Sequence, residues 1–446
     1  MKVLRSRTHH SPHGPVRHSR RVLRRVVGAV AAAGALASPA PARAQAAPGW
    51  ADSPATRPDS AASARADSAS RRAQSVRRPA WYERLSLRGY AQVRYNRLLE
   101  TNPSLVCQQC DRSIGRNGAF SIRRARLVVS GDVHERVSVY IQPDLATDVG
   151  SDKHVAQLRD AYFDVYLDQG RTYRVRFGQS KIPFGFENLQ SSSNRLPLDR
   201  ADPLNSALPN ERDIGVLFYW SPGEARRRFR VLTDSGLKGS GDYGVFGAGV
   251  FNGQTANRNE QNNGLHAVAR LAYPFRLANG QFVELGAQGY HGRFVIPAAQ
   301  RSPGVAGPAE FLDERIAGSL VVYPQPFGLQ AEWNVGRGPE FDPGSSSIRT
   351  RRLGGGYVQA MYRARRAGQT VTPFLRAQRY DGGKKLETDA RHYRVRELEG
   401  GVEWLPVSAF ELTASYVTSD RRFEDAATIG NREEGQFLRL QAQFNY

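Results

Sequence analysis

The sequence is poor in several residue types on which other protein classes depend. Cysteine and methionine each occur twice in 446 residues, and lysine occurs at only six positions. Two cysteines are too few for a disulfide-rich scaffold. No segment after residue 44 approaches the roughly eighteen consecutive apolar residues of a membrane-spanning helix. If this chain crosses a membrane, it must therefore do so as a closed β-barrel, because closure satisfies every backbone group in lipid.

Motifs of catalysis, metal binding and nucleic-acid recognition are also missing. The nine histidines are scattered, and no His-x-Glu pair, nucleophile elbow or zinc-ligand spacing is present. We therefore predict neither a metal site nor a cofactor. The formal charge is +21, but no zinc finger, RNP-like segment or basic helix accompanies it, so no nucleic-acid partner is expected.

The first 44 residues have the pattern of a secretory signal peptide. Basic residues precede a short apolar run from Val26 to Ala37, and Ala42-Arg43-Ala44 follows as a cleavage site. Removing this segment takes away nine basic residues and no acidic residue, which leaves a charge of +12. Residues 45–80 are rich in Ala, Ser, Pro, Arg and Asp and are predicted to be a flexible segment. The folded domain is then expected at residues 81–446.

From Leu85 onward the chain alternates between apolar and polar residues. Leu85, Leu87 and Gly89 begin one face of the first run, and the final run from Leu438 to Tyr446 repeats the pattern and ends on an aromatic residue. A period of two predicts β-strands with one apolar and one polar face. Long polar connections alternate with short turns, which predicts an all-β, transmembrane antiparallel barrel of about sixteen strands.

The predicted connections are of both kinds. Thr147 to Gln157, Gly336 to Arg351 and Asp420 to Glu434 are predicted to be long loops, and Ser221 to Gly223 is predicted to be a short turn. The segment from Ala225 to Ser240 fits either an extended turn or an extra hairpin. A count of eighteen strands therefore stays open beside sixteen.

The most informative stretch runs from Arg171 to Asp213. An alternating strand leads into Gly178-Gln179-Ser180-Lys181-Ile182-Pro183-Phe184-Gly185, and a polar loop extends from Ser180 to Arg212. A loop of this length without helical periodicity is uncommon and usually functional. Pro183 and Gly185 are expected to bend it inward, because proline cannot donate to a strand ladder and glycine tolerates unusual dihedrals.

Five short motifs give the chain a resemblance to the phosphate-selective porin O/P family of bacterial outer membranes. They are Arg123-Arg124-Ala125-Arg126-Leu127, Asp160-Ala161-Tyr162, the Gly178 to Gly185 segment, Arg212-Asp213-Ile214-Gly215 and Gly249-Val250-Phe251-Asn252-Gly253. The resemblance covers residues 85–253, and the second half matches only in its alternation. It implies an outer-membrane porin with the loop from Ser180 to Arg212 folded into the pore, a homotrimer, and passage of phosphate or polyphosphate. Residues 45–80 would then be periplasmic, and outer-membrane lipid would surround the barrel.

If the apolar face of each strand meets lipid, the cations on the other face point into the lumen. An arginine in the lipid band would cost about 2–4 kcal/mol near mid-membrane. The predicted pore-lining cations are Arg88, Arg94, Arg124, Arg126, Arg174, Arg176, Lys181, Arg270, Arg376 and Arg439. Lys181 is the best single candidate for the constriction, and further constriction candidates in the loop are Arg195, Arg200 and Arg212. Inward acids pair with some of these cations; they are Asp160, Asp164, Glu284, Glu332 and Glu411.

The sequence thus predicts diffusion of small anions through an arginine-lined channel, and it leaves two rivals open. One is a structural or adhesive barrel with a blocked lumen. The other is a barrel enzyme, for which Ser319 and His266 would be the candidates on the outer face. Separately, Cys107 and Cys110 lie in the first long loop and are predicted to form a disulfide in an oxidising compartment.

Overall fold

The computed structural model describes residues 80–99, 119–149 and 152–446. The described chain forms a closed antiparallel barrel of sixteen strands, which confirms the predicted fold class. The predicted signal peptide, the predicted N-terminal segment up to residue 79 and the predicted Cys107–Cys110 disulfide lie outside the described residues and stay predictions.

The strands follow one another in chain order around the barrel. They are β1 (Leu85–Leu98), β2 (Ala119–His134), β3 (Val137–Val149), β4 (Asp152–Tyr166), β5 (Tyr173–Lys181), β6 (Arg212–Trp220), β7 (Phe246–Phe251), β8 (His266–Arg276), β9 (Phe282–Val295), β10 (Glu310–Val322), β11 (Phe327–Asp342), β12 (Ser347–Tyr362), β13 (Gln369–Gly383), β14 (His392–Val407), β15 (Phe410–Asp425) and β16 (Thr428–Asn445). A short segment, Ala364–Arg366, extends β12 and pairs with the start of β13.

The barrel closes because β1 pairs on both sides. Ala91 lies opposite Ala125 of β2 and opposite Phe444 of β16, antiparallel in both cases. We term the end that carries the start of β1 and the end of β16 the turn end, and the opposite end the loop end. The eighteen-strand alternative is excluded because part of Ala225 to Ser240 forms a helix rather than a hairpin.

The strands place polar side chains inside and apolar side chains outside. In β8, Arg270 is 2% exposed, whereas its neighbour Leu271 is 55% exposed. The same alternation recurs in β2, where Arg124 and Arg126 are buried, whereas Ala125 and Leu127 are partly exposed. Side chains of a strand point alternately to its two faces, so the exposed apolar face of the barrel is the one that meets lipid.

Three segments predicted to be loops are instead the ends of long hairpins. Val149 of β3 pairs with Asp152 of β4, Phe341 of β11 lies opposite Ile348 of β12, and Phe423 of β15 lies opposite Asn431 of β16. The prediction was wrong because the outward face of a strand that extends beyond the lipid band no longer meets lipid. The sequences of such strands then lose apolar alternation and resemble loops, although ladder bonds continue.

The connection between β5 and β6, residues 182–211, lies inside the barrel, as the resemblance implied. It carries two short helices, α1 (Phe186–Leu189) and α2 (Asp202–Ala207). Gly185 precedes α1 with a φ of 85°, a conformation that favours glycine. Ile182, Phe184 and Leu204 pack against the inner wall in one apolar cluster that includes Tyr290. We term residues 182–211 the inner loop.

The connection between β6 and β7, residues 221–245, was predicted to begin as a short turn, and this was wrong. It forms α3 (Gly223–Asp234), whose Ala225, Phe229 and Leu232 make an apolar stripe at helical spacing. The stripe packs against Phe186 of the inner loop, which explains why a helix is stable here. No helix in the described part of the chain is long and apolar enough to cross a membrane.

Candidate functional site

The inner loop is attached to the barrel wall through its acidic residues. Glu187 lies 2.9 Å from Arg376 of β13, measured from carboxylate oxygen to guanidinium nitrogen. Asp199 lies 3.1 Å from Arg94 of β1 and also forms an ion pair with Arg439 of β16. Three of the predicted pore-lining cations therefore face the inner loop and hold its carboxylates.

Two further carboxylates add to this attachment. The carboxylate of Asp202 lies 2.5 Å from Nζ of Lys384 and 2.9 Å from a guanidinium nitrogen of Arg421. The carboxylate of Glu332 on β11 accepts hydrogen bonds from the backbone N–H groups of Phe186 and Glu187, at 2.5 and 2.8 Å. The inner loop thus contacts wall strands on both sides of the lumen, from β11 to β1.

A second group of cations surrounds one carboxylate at the end of the inner loop. Glu211 lies 2.7 Å from Arg212, 3.0 Å from Arg200, 3.5 Å from Arg195 and 3.6 Å from Lys181. All five side chains are buried, with 9% or less of each exposed. We term these residues the Glu211 cluster. It contains all three predicted constriction arginines.

Lys181, the leading constriction candidate, is turned toward the protein. Its Nζ donates to the carbonyl oxygens of Leu189 and Gln190, at 3.1 and 2.6 Å, and it is 7% exposed. These contacts close the last turn of α1, whose carbonyls otherwise have no intrahelical donor. The amine therefore holds the inner loop in shape, and a role for Lys181 in ion selection stays a prediction.

Four other predicted cations form ion pairs within the wall. Arg126 lies 2.8 Å from Asp144, and Arg270 lies 3.0 Å from Glu284. Arg176 lies 2.7 Å from Asp164 of β4, and Arg174 lies 3.6 Å from the same carboxylate. The sequence expectation that acids pair with some inward arginines agrees with this arrangement. Such paired guanidiniums have less capacity left for a passing anion.

Arg124 differs from these cations because no carboxylate of the described residues pairs with it. It is 6% exposed, and one terminal nitrogen donates to Oε1 of Gln92 at 2.8 Å, while its Nε has no hydrogen-bond partner. The guanidiniums of Arg94, Arg123, Arg126 and Arg195 lie close enough to repel its charge. We term Arg94, Arg123, Arg124 and Arg126 the Arg124 cluster.

Arg88 is the second predicted cation that pairs with no carboxylate in the described part of the chain. It lies on the inward face of β1 near the turn end, is exposed, and has its guanidinium 5.9 Å from the ring centre of Tyr140. Within the described ranges, Arg88 and Arg124 are thus the two predicted cations that form no ion pair with a carboxylate.

Sequence reasoning missed several inward cations. Arg123 lies at a β-bulge, where Gln92 pairs with Arg124 but Val93 pairs with Ile122, and the bulge brings Arg123 to 3.6 Å from Asp199. Alternation would have found Arg315, which follows Asp313 on the inward face of β10. Arg421 was missed because it was assigned to a loop, although it reaches Asp202. Lys384, in the connection that follows β13, also reaches Asp202.

The lumen also contains a group of acids. Glu399, Glu403 and Glu411 on β14 and β15 are each 4% exposed or less. Lys238, which follows α3, reaches across to form an ion pair with Glu403. The inner surface is therefore cationic beside β1 and β2 and acidic beside β14 and β15.

The two residues considered for catalysis are not arranged as a catalytic pair. His266 lies on the inward face of β8, is 1% exposed, and has its Nε2 3.5 Å from Asp313. Ser319 lies on β10 opposite Gly286, and no hydrogen bond joins it to His266 among the described residues. The sequence expectation that both would lie on the outer face was wrong for His266, because its β8 position alternates with the exposed Ala267.

Comparison with known proteins identifies relatives of this architecture. A family model described as phosphate-selective porin O and P matches residues 106–307 and 304–446. The outer membrane channel DcaP of Acinetobacter baumannii is 14% identical with a TM-score of 0.53, over 81% of this chain and 97% of that chain. OmpF of Salmonella typhi, in complex with daunomycin, is 11% identical with a TM-score of 0.51, over the same shares. At these identities the structures show a common fold. No curated protein matches the chain in sequence.

Proposed function

The chain belongs to the phosphate-selective porin O and P family, and from this premise we propose that it passes small anions by diffusion, phosphate or polyphosphate among them. Family and fold indicate an outer-membrane channel rather than an enzyme. Anion preference goes beyond what family and fold indicate. It depends on the inward-facing arginines, and above all on Arg124.

The observation that carries the proposal is the incomplete pairing of Arg124. A buried charge is stable only when it is paired or hydrogen-bonded, and Arg124 has one amide oxygen as its described partner. Four neighbouring guanidiniums add to the positive potential around it. An anion entering the lumen beside Arg124 would therefore meet a cation that pairs with no carboxylate in the part of the chain that the structure describes.

Partial neutralisation of the other arginines suits conduction rather than tight binding. A channel must hold its ion strongly enough to admit it and weakly enough to release it. Arg94 and Arg126 flank Arg124 and are each paired with an aspartate, so they raise the local potential without forming a deep trap. The planar guanidinium also offers parallel donors that match phosphate oxygens.

Planar-bilayer recording under a potassium chloride gradient tests the proposal. We expect a reversal potential that indicates anion preference. Because a charge about 4 Å from a passing ion contributes about 1 kcal/mol even in water, Arg124→Gln should lower the anion-to-cation permeability ratio about fivefold. Arg422→Gln removes the same charge from the outward face of β15 and is the matched control. Cation preference of the unaltered protein would refute the proposal.

Phosphate preference needs a separate measurement. Titrating phosphate into the chloride solution should reduce the chloride current if phosphate occupies sites beside Arg124. The reduction should be weaker in the Arg124→Gln variant. Chloride current that phosphate leaves unchanged would indicate a general anion porin instead.

A blocked structural barrel is the rival, and one observation favours it. The inner loop contacts both β11 and β1 through Glu332 and Arg94, and Arg94 has no exposed surface. The same recordings decide between the two. Absence of conductance from protein that is folded and inserted would support the structural barrel.

Assembly and export complete the proposal. We propose a homotrimer, supported by the family resemblance, and native mass spectrometry of the detergent-solubilised protein measures the number of copies.

We also propose that residues 1–44 are removed on export. Intact mass of the protein purified from outer membranes should then match a chain beginning after Ala44.

A further inference from the structure

A crevice lies on the outward surface of the barrel, away from the lumen, and spans β8 to β13. Its volume is about 1110 Å³. Apolar and small residues form its floor, among them Ala269, Gly289, Ile316 and Val335. Shallower depressions beside Gly318 continue it toward the turn end. The crevice is thus a groove with a mainly apolar floor in the surface that faces lipid, and charged residues of both signs, among them Glu314 and Asp381, line its loop end.

Two arginines stand at the rim of this crevice and face outward. Arg337 of β11 lies directly opposite Arg352 of β12. Arg337 forms an ion pair with Glu314 at 2.6 Å, whereas Arg352 has neither an ion pair nor a hydrogen bond from its side chain in the described part of the chain. Like charges at directly opposite strand positions destabilise a sheet, so this pair would be stabilised by an added anion.

The rim lies at the height of lipid headgroups. Outward positions of β11 are apolar from Phe327 through Trp333 to Val335, and Arg337 is the next outward residue. At about 3.4 Å per residue these apolar positions cover about 27 Å of strand, or about 21 Å of height at a tilt of about 40°. An apolar band of about this height fits the hydrocarbon layer. Arg337 and Arg352 therefore emerge where phosphate groups lie.

We propose that the crevice binds one phosphate-bearing lipid of the leaflet at the loop end. The phosphate lies between Arg337 and Arg352, and an acyl chain lies along the floor beside Gly289 and Gly318. A second copy of the barrel fits the crevice less well, because an interface there would bury Arg352 without a partner, and removing an unpaired charge from water is unfavourable. A lipid phosphate supplies the missing negative charge.

Native mass spectrometry of the detergent-solubilised full-length protein tests this proposal. The probe is lipid A, an acylated glucosamine disaccharide with two phosphates, titrated beside the same lipid after phosphatase treatment. Each arginine near a membrane surface contributes about a fivefold factor in affinity for anionic lipid, so the double variant Arg337→Gln/Arg352→Gln should bind lipid A about 25-fold more weakly. Arg422→Gln, an outward arginine at the loop end of β15, should bind normally.

A second variant tests the apolar floor while both arginines remain. A Cβ added at Gly318 meets no atom nearer than the Gly286 carbonyl oxygen, at 4.0 Å, so Gly318→Leu should fill the depression without strain and weaken lipid A binding. Equal binding of lipid A by the double variant and by Arg422→Gln would overturn the proposal, as would equal binding of the dephosphorylated lipid. A change in copy number without loss of lipid would assign the crevice to a second copy instead.

Discussion

The Glu211 cluster and the Arg124 cluster both border the inner loop, and Arg195 approaches both. In the first, four cations contact a single carboxylate. In the second, Arg94 and Arg126 have aspartate partners, while the hydrogen-bond partner of Arg124 among the described residues is Gln92. The number of arginines in a lumen therefore does not locate an anion site. The site is indicated by the arginine that has no carboxylate partner among the described residues.

The two clusters consequently have different expected roles. Buried cations that share a carboxylate fix the inner loop in one position, because separating them would leave charges unpaired in a poorly solvated region. A cation without a carboxylate contributes less to that position and more to the potential that an ion meets. Variants can separate these roles, since stability and ion selectivity are measured independently.

The largest effect is expected from Glu211→Gln. Losing the shared carboxylate leaves Arg200 and Arg212 without their closest negative partner, and breaking a buried ion pair costs about 3–5 kcal/mol. Denaturant titration of the detergent-solubilised protein measures the free energy of unfolding. Glu135→Gln, an exposed acid in the turn between β2 and β3, is the control. Equal stability of the two variants would remove the distinction between the clusters.

A smaller effect is expected from Asp199→Asn. Arg94 and Arg439 would each lose a charged hydrogen-bond partner on the inner loop, and such a bond contributes about 1.5–3 kcal/mol. The same variant removes a negative charge that Arg94 and Arg439 contact, so anion preference should rise. Bilayer recording beside the denaturant titration checks both consequences. A fall in anion preference would contradict this assignment.

Arg124→Gln sharpens the comparison because it should change selectivity while leaving stability nearly intact. The variant removes a buried charge that has no carboxylate partner among the described residues, so the free energy of unfolding should change by less than about 1 kcal/mol or increase. Arg212→Gln is the matched variant in the other cluster, where Asp160 and Glu211 would both lose a partner. We expect it to be the less stable of the two. The reverse order would refute the roles assigned to the clusters.

The smallest effect is expected outside the barrel. Asp342, near the tip of the β11–β12 hairpin, lies 2.9 Å from Arg351, which is 45% exposed. Exposed ion pairs of this kind contribute about 0–1 kcal/mol and are screened by salt. Asp342→Asn should therefore leave the free energy of unfolding within about 1 kcal/mol of the unaltered protein. A larger loss would show that burial is not what distinguishes the Glu211 cluster.

The sequence predicted the strand faces well because lipid imposes a simple rule. Arginine on the outer face is costly within the hydrocarbon layer, so alternation identified the inward positions of Arg94, Arg270 and Arg439. The rule does not apply beyond the lipid, which is why the hairpin ends resembled loops. The rule also fails at the β-bulge in β2, where one extra residue changes the face to which Arg123 belongs. No sequence pattern marks this bulge.

Pairing between cations and acids was not predictable from the sequence. Arg94 and its partner Asp199 are far apart in the chain, as are Arg376 and Glu187. The inner loop carries several acids of similar chemistry, and each reaches its partner only through the bend at Gly185 and the positions of α1 and α2. Local patterns therefore identified the charged residues of the lumen but not which charges cancel.

The position of Asp199 also bears on the order of assembly. Its carboxylate touches Arg94 on the first strand and Arg439 on the last, and these strands become neighbours only when the two edges of the sheet join. Both contacts of Asp199 can therefore form only after the barrel has closed. A single aspartate thereby couples barrel closure to the final attachment of the inner loop.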